Sequence, residues 1–238
     1  MPNAAVIIGA SGGIGGALAE QVAGSSRYPA VHAISRTPSA DRGSIRFHIA
    51  DIADEASVER VAGTIGTEEP VGLVIVASGL LHDTNIRPEK ALKTIDPVAM
   101  ARLFAVNTIG PAIVAKHYVP LLPRRGRSVF AVLSARLGSI EDNRLGGWYS
   151  YRASKAALNQ VIRTLAVELK RTHPDAIALA LHPGTVATTL SGPFRSDETR
   201  AGLFVPDDAA SNLLKVLDLA AVEQSGALLA WDGSHIPY

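Results

Sequence analysis

The chain has 238 residues, 47% of them hydrophobic and 19% charged, with a formal net charge of +1. Such a composition can bury a sizeable core and excludes a disordered chain, and the balanced charge removes the electrostatic case for a nucleic-acid partner. The absence of cysteine excludes disulfides and thiol chemistry, no metal ligand set is expected, and no apolar run approaches the ~20 residues that cross a bilayer, so a soluble cytoplasmic protein without a membrane partner is expected.

The first apolar run, "AAVIIG" at 4–9, reads as a buried strand. It leads through "VIIGASGGIGGALAE" into a helix, with Gly9, Gly13 and Gly15 at the turn and Ser11 and Ile14 between them. A tight strand-to-helix turn favours residues without a β-carbon, and the N–H groups at a helix N-terminus attract phosphate. After an N-terminal strand, this turn points to a dinucleotide, although a glycine turn used only for close packing has the same spelling. The second run, "AVHAIS" at 30–35, ends at Ser35 and Arg36, with no acidic residue before Asp41. An acid there would hold the adenosine ribose hydroxyls. A guanidinium instead matches a 2′-phosphate, so NADP(H) is expected with Arg36 as its anchor, against an Arg that is simply exposed. The third run, "IRFHIA" at 45–50, is followed by Asp51 and Ile52. Asp51 suits either the adenine amino group or a helix cap.

The fourth run, "GLVIVAS" at 72–78, and the fifth, "SVFAVLS" at 128–134, flank a helical region. Arg124, Arg125 and Arg127 just before the fifth run read as a solvated loop. A long helix follows, with Leu158, Ile162, Leu165 and Leu169 at helical spacing over 154–169. At its start stands "WYSYRASKAALN", in which Tyr151 lies four residues before Lys155. One helical turn puts both on one face, and a nearby ammonium is expected to lower the tyrosine pKa, suiting it to proton transfer near neutral pH. Tyr149 lacks that spacing and reads as packing or pocket wall. The sixth run, "AIALALH" at 176–182, precedes Pro183 and Gly184, and the last is "GALLAW" at 226–231. Between them, 189–206 is long and irregular, a lid or a loose surface loop. The runs are mostly continuous rather than alternating, as in strands buried on both faces. Strands alternating with helices predict one doubly wound parallel α/β sheet of about seven strands, a single Rossmann-type domain over 1–238.

The glycine pattern at 9–15, Asn107 in "FAVNTIGP", "YRASK" at 151–155 and "LHPGTVATTL" at 181–190 together resemble the short-chain dehydrogenase/reductase family over the whole chain. "GSI…GGWYSYRASKAALN" and "GALLAWDGSHIPY" further resemble its C-factor-like carbonyl reductase branch. The resemblance implies that Lys155 also holds the nicotinamide ribose and that Asn107 holds a water in a proton relay. A buried Asn bonded to backbone groups is the alternative for Asn107. It implies that backbone near Val186 holds the carboxamide, that Thr188 contacts the cofactor phosphates, and that the chain forms a dimer or tetramer through helices at about 108–122 and 150–172.

Three departures stand out. The family's Asn-Asn-Ala-Gly is "VASG" at 76–79, where Ala77 and Gly79 remain beside the adenosine position but the asparagines are gone. Ile8 replaces a common Thr. The family's Ser-Ser-x-x-Gly is "LSARLG", which puts Ala135 at the substrate-polarising serine and leaves Ser134, Ser139 or no serine for that task. The expected activity is NADP(H)-dependent transfer of hydride between the nicotinamide and a small-molecule carbonyl or alcohol. The alternative is a dinucleotide-binding signalling or regulatory protein of the C-factor type with weak or no catalysis.

Overall fold

The computed structural model of the protein describes residues 3–194 and 202–238. Seven strands form one sheet in the order β3-β2-β1-β4-β5-β6-β9, and every pairing within it is parallel. They are β1 Ala4–Ile8, β2 Val31–Ser35, β3 Ile45–Ile49, β4 Val71–Val76, β5 Ser128–Leu133, β6 Ala176–His182 and β9 Leu228–Ala230. Two-residue strands β7 Thr185–Val186 and β8 Leu203–Phe204 pair separately. Strand order reverses between β1 and β4, so ligand chemistry is expected outside the carboxyl ends of these strands.

Alternation along each strand explains the continuous apolar runs. Val6 and Ile8 of β1 join the core layer with Ile65, Tyr118, Leu158 and Leu169, while Ala5 and Ile7 join the opposite layer with Leu18, Leu213 and Leu217. One layer is covered by α2 Glu55–Gly66, α4 Gly110–Tyr118 and α5 Tyr149–Thr172. The other is covered by α1 Gly13–Gly24 and α6 Pro206–Leu219. Six of the seven strands therefore face an apolar layer on both sides, and the exception is the edge strand β3, where Arg46 and Ile49 are exposed and Ile45 and Phe47 join only the second layer.

Strand ends differ from the sequence reading by one or two residues. β1 stops at Ile8 because Gly9 turns at φ +89°, and β9 begins only after Gly226, at φ +92°. The helix expected at 108–122 is part of a longer stretch. α3 Pro97–Phe104 is capped by Asp96, whose carboxylate accepts from the Val98 amide at 3.0 Å, and a π-helical turn over Ala105–Ile109 links it to α4. The helical stretch Pro97–Leu121 is long and apolar enough to span a bilayer by composition, although Asn107 and Thr108 interrupt any pure apolar run in it. Its Leu103, Val114 and Tyr118 are buried within the protein, the ordinary position of a core helix.

At the opposite end of β2 from the strand's carboxyl terminus, His32, Glu68 and Glu69 bring donor atoms within 4.8 Å of one another, a grouping not expected from sequence. Arg46 pairs with Glu68 at 2.5 Å, and His32 Nδ1 lies 2.9 Å from His48 Nε2. Burial and the neighbouring His48 hold His32 neutral, with its pKa down to about 4.

Candidate active site

The carboxyl ends of β1 to β6 gather nearly all the residues singled out from sequence. Gly9 follows β1, Ser35 and Arg36 close β2, Asp51 and Ile52 follow β3, Ala77 and Gly79 follow β4, Ser134 follows β5, and Pro183 and Gly184 follow β6. A β-carbon on Gly9 would stand 2.7 Å from the Ser78 amide, and one on Gly15 would stand 2.2 Å from the Gly9 carbonyl oxygen. These two glycines are therefore required by the turn itself. Gly12 caps α1 with no side-chain hydrogen bond and no acid occupies the first turn, so the exposed stretch Ser11–Gly13 leaves helix N–H groups open to an anion. Thr188 packs against the same turn, its Cγ2 lying 3.2 Å from the β-carbon position of Gly13.

Arg36 is exposed at the end of β2, and Ser35 Oγ donates to the Thr37 carbonyl at 2.6 Å. Asp51 accepts from the Ala53 amide at 2.9 Å, which orders the entry to α2. Ile52 is buried and packs against Gly110, so its side chain belongs to the core. Val186 is also buried, and Gly184 adopts φ +79° against the rings of Phe204 and Trp231.

Three polar side chains meet beneath the β4 and β5 ends. Asn107 is fully buried in the π-helical turn. Its Oδ1 accepts from the Leu80 amide at 2.8 Å, while its Nδ2 donates to the Leu80 carbonyl at 2.7 Å and to Ser154 Oγ at 3.1 Å. These bonds tie Asn107 to the Leu80 backbone and to the Ser154 hydroxyl. Lys155 is 3% exposed, and its Nζ donates to the Leu133 carbonyl at 2.8 Å. The β-carbon position of Gly79 lies 3.7 Å from Asn107 Oδ1 and 3.8 Å from Lys155 Nζ, so the missing β-carbon opens the space above both.

Tyr151 lies one turn before Lys155, whose Nζ is 5.9 Å from the tyrosine ring centroid. Its hydroxyl has no hydrogen-bond partner among the described residues. The ring sits in an apolar cluster with Leu81, Ile86, Leu103 and Ala135, and Trp148 meets it edge-on at 6.3 Å. Burial moves the two groups in opposite directions: the Tyr151 phenol is pushed up to about 12 and the Lys155 ammonium down to about 8. The expected lowering of the tyrosine pKa is thus corrected. The ammonium is committed to Leu133 and the ring face, and loss of water outweighs its attraction for a phenolate.

The serine question has a geometric answer for each hydroxyl. Ser134 Oγ donates to Asn159 Oδ1 of α5 at 2.6 Å, and Ser139 Oγ accepts from the Asp142 amide at 3.0 Å. From this segment Ala135 joins the buried cluster of Tyr151, and Leu137 packs against it. Strand alternation turns Ser134 toward α5 and residue 135 toward the Tyr151 cluster.

Several contributors carried no signal in sequence. Ser154 links Asn107 to the Tyr151 carbonyl, to which its Oγ donates at 2.8 Å. His82 Nε2 donates to the Thr189 and Leu190 carbonyls at 3.2 and 3.1 Å, tying the loop after β4 to the loop after β7. The expected lid at 189–206 is described only in part, because residues 195–201 lie outside the described residues.

A profile of the short chain dehydrogenase family matches residues 3–199. The chain belongs to that family. C-signal of Myxococcus xanthus is 35% identical over 149 residues, covering 62% of this chain and 84% of the relative. A 1-hydroxy-2-glutathionyl-2-methyl-3-butene dehydrogenase of Rhodococcus sp. (strain AD45) is 32% identical over 189 residues, covering 79% and 78%. Among solved structures, NADPH-bound carbonyl reductase from chicken fatty liver superposes with a TM-score of 0.87 at 23% identity, over 99% of this chain and 94% of that one. Carbonyl reductase Sniffer of D. melanogaster gives 0.86 at 19% identity, over the full length of both. At those identities the superpositions establish the fold, and the matched profile establishes an oxidoreductase family. Family membership accounts for the order in which the glycine turn, Asn107, Tyr151 and Lys155 occur along the chain.

Proposed function

We propose that the protein is an NADP(H)-dependent oxidoreductase that interconverts a carbonyl and an alcohol. The observation that carries the reading is the Tyr151 hydroxyl, without a hydrogen-bond partner among the described residues, one helical turn from a buried Lys155 that has no carboxylate partner among them either. The glycine turn fits a pyrophosphate, since β-carbons at Gly9 and Gly15 would fill the turn and the α1 N-terminus is uncapped. Arg36 fits a 2′-phosphate at the end of β2. A bound NADPH supplies the hydride.

Within that frame the chain handles the proton. Burial keeps Tyr151 protonated at neutral pH, so its hydroxyl would donate a proton to the oxygen of a bound carbonyl. Proton loss creates a phenolate within an apolar cluster, and the Lys155 ammonium, 5.9 Å from the ring centroid, is the available counter-charge. Leu81, Ile86, Leu103 and Trp148 around Tyr151 support a carbonyl substrate with an apolar flank. Exposed Ile109, in the π-helical turn that leads into α4, and Val167, on α5, support association through this helical stretch and α5 into a homodimer or homotetramer.

The second reading is a dinucleotide-binding signalling or regulatory protein. Ala135 at the serine position favours it, as does the similarity to C-signal. Turnover separates the two. Purified protein with NADPH and a panel of apolar aldehydes and ketones is expected to oxidise NADPH, and binding without turnover across the panel would favour the regulatory reading.

A further inference from the structure

We propose that Glu89, in the loop after β4, is a positioning residue that aims Tyr151 by clamping the first turn of α5. The carboxylate is buried, and it accepts from both the amide and the hydroxyl of Ser150, the residue before Tyr151. The Glu89 backbone carbonyl also accepts from the Trp148 amide at 2.6 Å. One residue thus binds the helix entry through its main chain and its side chain together.

That entry needs holding. Gly146, Gly147 and Trp148 are three consecutive left-handed residues, at φ +63°, +66° and +53°. The first two are glycines and adopt this without strain, but Trp148 has a β-carbon and is disfavoured there. Trp148 caps α5 without a side-chain cap hydrogen bond, so its side chain does not satisfy the first amides of the helix. The Glu89 carboxylate supplies an acceptor and places a negative charge where the N-terminus of a 24-residue helix favours one. The result fixes Trp148 with its ring edge-on to Tyr151.

The clamp has a second end. Nine residues earlier, Leu80 is held through both its amide and its carbonyl by Asn107, which also bonds Ser154. Leu81 and Ile86, between Leu80 and Glu89, pack on the Tyr151 ring. The loop from Leu80 to Glu89 is therefore a strap tied to α5 on both sides of Tyr151, at Ser150 and through Asn107 at Ser154. A carboxylate that served only as a cap would stabilise the helix. Tied into this strap, it also sets the position of the hydroxyl.

The proposal rests on Tyr151 being the proton donor, and its test has a readout that does not. In a Trp231→Phe background, Trp148 is the remaining tryptophan, so its quenching by acrylamide reports the turn directly. Glu89→Ala is expected to raise that quenching at least twofold while far-ultraviolet helix content stays within a few per cent. In turnover, Glu89→Ala is expected to lower kcat at least tenfold with NADPH affinity within twofold, and Glu89→Gln, which keeps one acceptor, to recover part of it. Should the alanine variant fail to fold, Glu89→Gln and Ser150→Ala carry the test, each with a smaller change in the same direction. Loss of thermal stability with unchanged kcat and unchanged quenching would overturn the proposal and leave Glu89 a cap. Altered quenching together with an active Tyr151→Phe enzyme would uphold the clamp and sink the proton-donor reading instead.

Discussion

Replacing Lys155 by methionine separates the cost of burying its charge from the use made of it. The side chain is almost wholly enclosed, and burial takes its pKa from 10.5 to about 8. At ~1.4 kcal/mol per unit, the folded protein carries a cost on the order of 3 kcal/mol at neutral pH. Methionine has a similar length and no charge. It forfeits the donor to the Leu133 carbonyl, a loss of about 1 kcal/mol, so the net gain is about 2 kcal/mol. For a chain of this size that corresponds to a rise in Tm of roughly 4–8 °C. At pH 7 the lysine is protonated in both the folded and unfolded states, so the wild type bears the whole cost. From about pH 8 up to 10.5 the folded state has lost the proton while the unfolded state still holds it, and wild-type stability from this group rises across that window. The advantage of Lys155→Met therefore shrinks from pH 7 to pH 10, and its turnover is low throughout. Urea unfolding of both proteins at the two pH values measures it. A variant less stable than wild type at pH 7, or an advantage equal at both pH values, would refute the reasoning.

Three further outcomes are expected. Arg36→Ala should weaken NADPH by about ten- to a hundredfold and leave NADH nearly unchanged, the effect of one charge-assisted hydrogen bond, and fluorescence titration with both cofactors checks it. Ala135→Ser should raise kcat by at least tenfold by adding a donor beside Tyr151, whereas Ser134→Ala should lower stability by about 1–3 kcal/mol through the bereft Asn159 and change kcat little. Steady-state rates and thermal melts on the two variants distinguish these effects.

The parallel sheet was legible because strand burial on both faces writes continuous apolar runs, and the helix face of Tyr151 and Lys155 was legible because four residues make one turn. What was not legible depends on distance along the chain. Ser150 and Glu89 are 61 residues apart and Asn107 and Leu80 are 27 apart, so neither tie has a local spelling. The direction of the Tyr151 pKa shift was misread because spacing gives the proximity of a charge but not how much water the fold removes. The left-handed Trp148 was hidden for a related reason: "GGW" announces a turn, and only the carbonyl of Glu89 explains why a tryptophan accepts one. The short strands β7 and β8 escaped notice because two residues carry no periodicity.

The central claim is that the Tyr151 hydroxyl is the proton donor to a carbonyl. Single-turnover oxidation of bound NADPH by an apolar ketone, compared between wild type and Tyr151→Phe, tests it most directly. The substitution removes one oxygen that has no partner among the described residues, so folding and NADPH affinity should be unchanged. The rate is expected to fall by about two to four orders of magnitude, the usual share of general acid–base catalysis. A Tyr151→Phe rate within about threefold of wild type would contradict the account.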